Sequence, residues 1–499
     1  LIGRITVISR VHRVVGRRIV QIAYLLFLGW FVYAAAAYGL TRDDTLHVFE
    51  WGMGGTVALW LLGHAVERAW PRTGVWPWVF ALAVLGFGWA VTGLGVFQDW
   101  ATGESAPDWA MNLPEVLLTG WSTYDPALSL AAMTRTTVLL GAMLLAIDLW
   151  NDPRFRKGLL LTMVLSSFGM VVFFLLQRVV GPPFLLVGLD GKSILSFATY
   201  RYWGNAAAYL NLFWPVTVGI ALFAALRRTS AWPLWLIPAV GTFLACFLNV
   251  SKAGNVLAII GFFLLLALLA PIAARELRRL KRRIKPHIVL GALIPILILV
   301  ILVPFALPWK RWDYLADRAM EGSPDARMHA YMAFTKMVPV ASWAGFGPGT
   351  FSKYYGHYVK DDPSLRHVPF WVAHQDYLQT VIEWGYIGAA LWALVLVPPV
   401  LLLFAAARRR AERPTREFEG YRITVFDYVK VFVDAMPSPR EPCVAAGALC
   451  AVILTALHAM VDFPMQIASL QLDFLTLLAL GWSYRLKDRE AEDGADAGI

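Results

Sequence analysis

One polar stretch stands out in an otherwise apolar chain. Between residues 308 and 383 lie His329, His357, His367 and His374, with Arg318, Arg327, Lys336, Lys353 and Arg366. This is the densest polar chemistry of the chain, and four histidines invite a metal reading, since imidazole is a common metal ligand. The set does not suit a metal. The histidines form no HxH or HxxxH pair, Asp361 and Asp362 sit in a Pro-bounded turn, and Asp313, Asp317 and Glu321 alternate with Arg311 and Arg318, as on a solvated helix. No metal site and no cofactor are expected.

His374 stands in Trp371-Val-Ala-His-Gln-Asp-Tyr-Leu-Gln379, just before an apolar run. It either accepts a proton at the membrane surface or caps the helix start, with Asp376 as a first-turn acid favoured by the helix dipole. Three cations in three connections accompany it: Arg201 in Thr199-Tyr-Arg-Tyr-Trp-Gly-Asn205, Lys252 in Ser251-Lys-Ala-Gly254, and Arg327. Lys252 either snorkels to water or turns its charge into a cavity. His458 and Asp462 are four residues apart on one helical face before Pro464, as a polar helix end or as part of a site. Arg135 and Arg178 fall within or at the edge of apolar runs, where a charge is a functional candidate. For Arg135 the structural alternative is pairing with Asp148 or Asp473. Gly345-Phe-Gly-Pro-Gly349 lacks the strand and the Lys-Ser/Thr of a phosphate loop and reads as a turn.

The elements that must position these residues are membrane spans. The 499 residues are 58% hydrophobic and 16% charged, with a mean hydropathy of +0.58, well beyond a soluble domain. About twelve runs reach the ~20 residues a span needs. They are Ile19–Leu40, His47–Val66, Val75–Phe97, Leu128–Trp150, Gly158–Val180, Asn205–Leu226, Trp232–Asn249, Gly254–Ala274, His287–Leu307, Trp384–Ala407, Cys443–Val461 and Ile467–Tyr484. The first follows a basic stretch without a small-residue cleavage site and reads as an uncleaved helix. Trp51, Trp70, Trp100, Trp150, Trp203, Trp309 and Trp384 stand near run ends, where an interfacial belt belongs. Cys246, Cys443 and Cys450 lie in or beside apolar runs and suggest no disulfide framework.

Basic residues gather in alternate connections: Arg4 to Arg18, Arg68 and Arg72, Arg154 to Lys157, Arg227 and Arg228, Arg275 to Lys285, Arg408 to Arg416, and Arg485 to Arg489. The intervening short connections are nearly free of them, which puts both termini in the cytoplasm. The net charge of +10 is then an orientation signal and not the footprint of a nucleic-acid partner. The expected layout is an all-α polytopic bundle. Helices 1–9 occupy residues 1–307, and a periplasmic loop domain spans 308–383. Helices 10–12 occupy 384–484 with a cytoplasmic insertion at 408–442, and a cytoplasmic tail spans 485–499. The acidic end, Glu490–Ile499, reads as disordered.

Taken together, these pieces resemble the bacterial O-antigen ligase and polymerase superfamily. The resemblance runs from Arg201 to Gln471. It rests on Gly204-Asn-Ala-Ala-Ala-Tyr-Leu210, Ser251-Lys-Ala-Gly254, and Arg327 followed by Gly345-Phe-Gly-Pro-Gly-Thr-Phe351. It also rests on His374-Gln-Asp-Tyr-Leu-Gln379 followed by Glu383-Trp-Gly-Tyr-Ile-Gly388, and on His458 to Gln466. Lys252 departs from the arginine usual in its turn and lacks the bidentate fork.

The resemblance implies an inner-membrane glycosyltransferase. A glycan leaves an undecaprenyl diphosphate carrier for an acceptor hydroxyl at the periplasmic face. The acceptor is lipid A–core in a ligase, or a lipid-linked repeat unit in a polymerase of O-antigen or exopolysaccharide. His374 would take the acceptor's proton. Arg201, Lys252 and Arg327 would bind the leaving diphosphate, and Asp376, Tyr377, His458 and Asp462 would support them. A lipid-linked oligosaccharide flippase or a small-molecule transporter is the rival reading, although a flippase should show two similar halves.

Overall fold

Apolar helices make up nearly all of the described chain, and β structure among those residues is a single bridge between Phe197 and Tyr200. The computed structural model describes residues 2–102, 121–180, 196–227, 232–279, 324–341, 343–360, 362, 365, 368–409 and 441–496. The long helices are α1 Ile2–Ala36, α2 Asp43–Glu67, α3 Val75–Thr102, α4 Pro126–Asn151, α5 Arg156–Val180, α6 Trp203–Arg227, α7 Trp232–Leu248 and α8 Lys252–Arg279. After α9, Pro324–Thr335, come α10 Asp376–Arg408, α11 Pro442–His458 and α12 Ala468–Asp496. Among the described residues seven helices are long and apolar enough to cross a membrane: α1, α3, α4, α5, α6, α8 and α10, while α7 and α11 are shorter apolar helices. The expected span His287–Leu307 and residues 410–440 of the expected insertion 408–442 lie outside the described residues.

Side chains that a soluble protein would hide are turned outward, including Leu25, Leu82, Phe263 and Leu401, as expected where lipid is the solvent. The centre is built from small residues. In α11 the run Cys443–Cys450 is buried on every side. Gly447 presses on the Pro215 backbone of α6, and Gly219 of α6 on Cys443. A Cβ at either glycine would separate the helices, the usual reason for small residues where membrane helices meet. α11 therefore packs against α6, α8, α10 and α12 together and carries His458 to the middle of the bundle.

α10 starts eight residues before the apolar run predicts. Gln375 caps it by accepting from the Leu378 amide. The helix then kinks at Gly385, with φ 62° and ψ −173°. A break in a span is tolerated when other groups take up the freed backbone, and the Gly345–Gly349 turn does so here. Phe346 N donates to Ile382 O at 2.9 Å, Gly347 N to Glu383 O at 3.0 Å, and Ile387 N to Trp343 O at 3.2 Å. The buried Glu383 side chain accepts from Gly349 N and Phe351 N at 3.1 and 3.2 Å. The glycine run is thus the structural turn expected. It anchors a second small core of Phe334, Met337, Phe346, Phe351, Phe370 and Ile382.

Three further expectations change. Trp150 and Trp384 are buried rather than interfacial, and Trp150 Nε1 donates to Thr476 O at 2.9 Å. Arg135 pairs with Glu50 at 3.3 Å, because Asp148 is already engaged by Tyr24, Trp60, His64 and Arg72. α12 continues to Asp496, so most of the acidic tail is helical. The Arg178 side chain is outside the described set. The three cysteines are free and buried.

Candidate active site

Asp462 is the hub of a buried polar cluster in the turn after α11. His374 Nδ1 lies 3.2 Å from its Oδ1, the Tyr202 hydroxyl donates to Oδ2 at 3.2 Å, and Phe463 N donates to Oδ1 at 3.1 Å. His458 Nε2 is 3.7 Å from Oδ2, beyond hydrogen-bond length, and its ring is fully buried. Burial pushes the Asp462 carboxyl up. The imidazoles of His374 and His458 outweigh that and hold it below the usual carboxylate range. Burial first and the Asp462 charge second push the Tyr202 phenol up, so it stays a donor at neutral pH. An ionised carboxylate only accepts, so Nδ1 of His374 is the donor of this pair, and in the neutral ring the lone pair falls on Nε2.

His374 is held by its backbone as well as by its ring. Its φ is +54°, rare for a residue with a side chain. The Tyr331 hydroxyl donates to its carbonyl at 2.7 Å, and its ring meets Phe463 edge-on at 4.7 Å. The N-cap of α10 is Gln375, the next residue. Strain held in place by several contacts is characteristic of functional sites. The His374 side chain is 26% exposed, against 7% for Asp462, so the imidazole is the group of this pair open to a substrate.

Asp376 and Tyr377 act one step back. Asp376 is buried and accepts from Met465 N at 2.9 Å and Gln466 Nε2 at 3.1 Å, and its own amide donates to Ala459 O. It clamps both sides of the turn that carries Asp462. The Tyr377 hydroxyl donates to Ala456 O at 2.8 Å and ties α10 to α11. Gln379 accepts from Ala373 N and donates to Glu383, linking the His374 segment to the glycine turn.

The cations come from three elements around this hub. Arg327 on α9 reaches the Val461 carbonyl at 3.4 Å and lies near enough to the Tyr202 phenol to oppose its upward shift. Arg201 is exposed beside Tyr202. Lys252 is exposed at the start of α8. Its turn is tied to the same region, since Asn249 Nδ2 donates to Trp203 O at 2.9 Å and Asn211 Nδ2 to Gly254 O at 3.1 Å. Tyr202 is the member that sequence reasoning passed over, although it adjoins Arg201 in a motif already singled out. Gly204 explains the fit, because a Cβ there would run into Tyr202 and Asp462.

Residues 237–393 match the family model described as O-antigen ligase. The match covers less than half of the 499 residues. It supports the O-antigen ligase and polymerase superfamily that the motifs resemble, and with the apolar helices it supports a multi-pass membrane glycosyltransferase. The matched segment contains Lys252, Arg327, His374 and Glu383, whereas Arg201, Tyr202, His458 and Asp462 lie outside its bounds, with Asp462 in contact with His374. No curated protein matches the chain.

Proposed function

We propose that the protein transfers a glycan from undecaprenyl diphosphate to an acceptor hydroxyl at the periplasmic face of the inner membrane, as an O-antigen ligase with lipid A–core as acceptor. The supporting observation is the His374–Asp462 pair, a half-open imidazole backed by a buried carboxylate, with His374 in the segment that matches the O-antigen ligase model and cations around it. Nε2 of His374 takes the acceptor proton as the oxygen attacks the anomeric carbon. The bond from that carbon to the diphosphate oxygen breaks, and negative charge grows on the leaving diphosphate. Arg201, Lys252 and Arg327 stabilise that charge without a metal ion. Asp462 holds the imidazole tautomer, and Tyr202, His458 and Asp376 hold Asp462.

The layout of twelve spans with both ends cytoplasmic and residues 308–383 in the periplasm belongs to the same proposal. Purified protein in detergent, given radiolabelled polyprenyl diphosphate glycan, should label lipid A–core. Label appearing only in longer lipid-linked glycan would make it a polymerase. Absence of transfer, with gradient-dependent glycan movement in vesicles, would make it a flippase or transporter.

A further inference from the structure

A cavity of about 180 Å³ lies between α1, α2 and the turn that follows α2. It is remote from His374. Thr199 Oγ1 donates to Ala35 O at 2.6 Å, which sets the C-terminal end of α1 beside the Arg201–Tyr202 segment. Arg17, at the cavity, stands on α1 about 27 Å away along the axis at ~1.5 Å per residue.

The inner wall is fixed. Asp148 is fully buried and accepts from Tyr24 Oη at 2.6 Å, Trp60 Nε1 at 2.8 Å, His64 Nε2 at 2.8 Å and Arg72 N at 2.8 Å. Arg72 also reaches Asp152 at 2.9 Å. These bonds hold Tyr24, His64 and Arg72, which line the cavity, and so fix its inner wall. The rim differs. Arg17 of α1 and Glu67 of α2 both line the cavity, although neither is ion-paired with the other or with any other described residue. Their helices touch closely, with Gly16 pressed on the Glu67 backbone, so the two charges could meet but do not.

Opposite charges facing one cavity without pairing offer both halves of a site for a zwitterion. Its phosphate would take Arg17 and the exposed edge of Arg72, and its ammonium would take Glu67. The surroundings indicate a lipid rather than a soluble phosphate ester. Val14, Val15, Ile22 and Leu25 on α1 and Leu61 and Leu62 on α2 are exposed and apolar, and Trp70 at the cavity is exposed, as befits the headgroup level of a bilayer. We infer that this cavity binds the phosphoethanolamine headgroup of a membrane phospholipid, with phosphate at Arg17 and Arg72 and ammonium at Glu67.

Native mass spectrometry of the full chain in detergent, titrated with phosphatidylethanolamine, phosphatidylglycerol and soluble phosphoethanolamine, tests this. Phosphatidylethanolamine should bind about tenfold more tightly than phosphatidylglycerol, the worth of one charged contact. Glu67→Gln should erase that preference and Glu67→Asp keep it, while Arg17→Ala should weaken both lipids. Glycan transfer should persist in all three variants and reports that they fold. Equal binding of the two lipids by the wild type overturns the inference, as does an unchanged preference in Glu67→Gln. Soluble phosphoethanolamine binding as tightly as the lipid would overturn the assignment to a membrane phospholipid.

Discussion

Replacing Asp462 with Asn changes one charge and almost no volume, which isolates what the carboxylate does for His374. In the wild type Nδ1 is 3.2 Å from Oδ1, and the carboxylate can only accept, so Nε2 is left as the base. An amide can turn its NH₂ toward Nδ1 and favour the opposite tautomer, whose Nε2 cannot take a proton. A hydrogen bond to a charged group contributes about 1.5–3 kcal/mol. At about 1.36 kcal/mol per decade, the loss in kcat is about 10- to 150-fold. The corresponding exchange in a Ser-His-Asp triad lowers kcat about 10⁴-fold. That is an upper bound here, because the His374 ring is 26% exposed. Initial rates of glycan transfer in detergent should show the loss in kcat with KM for the donor nearly unchanged. Stability supplies a second readout. The Asp462 carboxyl is held below its usual range, so its contribution is complete above an unfolded value of about 3.9 and is lost only as pH falls through the lower folded value. Asp462→Asn should therefore lower Tm at neutral pH. A kcat within about threefold of wild type would refute the tautomer argument.

Arg201→Ala and Arg327→Ala should each lower kcat by about 10²–10³, the usual loss for one donor to a developing anion. Lys252→Arg should retain activity, Lys252→Ala should lose it, and excess chelator should have no effect. Normal rates in both arginine variants would dismiss the cationic cluster, and magnesium rescue after chelation would dismiss the metal-free step. Single cysteines at Ser323 and Ser364 should react with an impermeant thiol reagent on intact spheroplasts, and those at Arg279 and Arg416 only after lysis. The reverse pattern would invert the topology. Gly385→Ala forces a Cβ at φ 62° against the Trp343 carbonyl and should destabilise the protein by about 1–3 kcal/mol. An unchanged Tm would mean that the kink relaxes freely.

Much of the helical layout was legible because lipid selects long apolar runs, and such runs need no partner to be recognised. The pairing of His458 and Asp462 was legible because four residues make one helical turn. The contact between His374 and Asp462 was not, since 88 positions separate them and only the packing of α10 on α11 brings them together. Tyr202 was hidden for the same reason, its partner being 260 positions away. The start of α10 was misread at Trp384 because Asp376, Gln379 and Glu383 look like loop residues. Each is buried and satisfied by backbone amides or amide side chains, and hydropathy does not register such bonds. Arg135 was assigned to the wrong acids because a sequence does not reveal that Asp148 is already filled by four other side chains.

That His374 takes the acceptor's proton is the central claim, and single-turnover transfer by His374→Ala tests it most directly. Purified wild type and variant would receive radiolabelled polyprenyl diphosphate glycan and lipid A–core in detergent, with donor binding measured in parallel. The variant should bind donor as the wild type does and transfer about 10²–10⁴-fold more slowly, the contribution of a general base. Transfer within a few-fold of wild type at equal donor occupancy would contradict it.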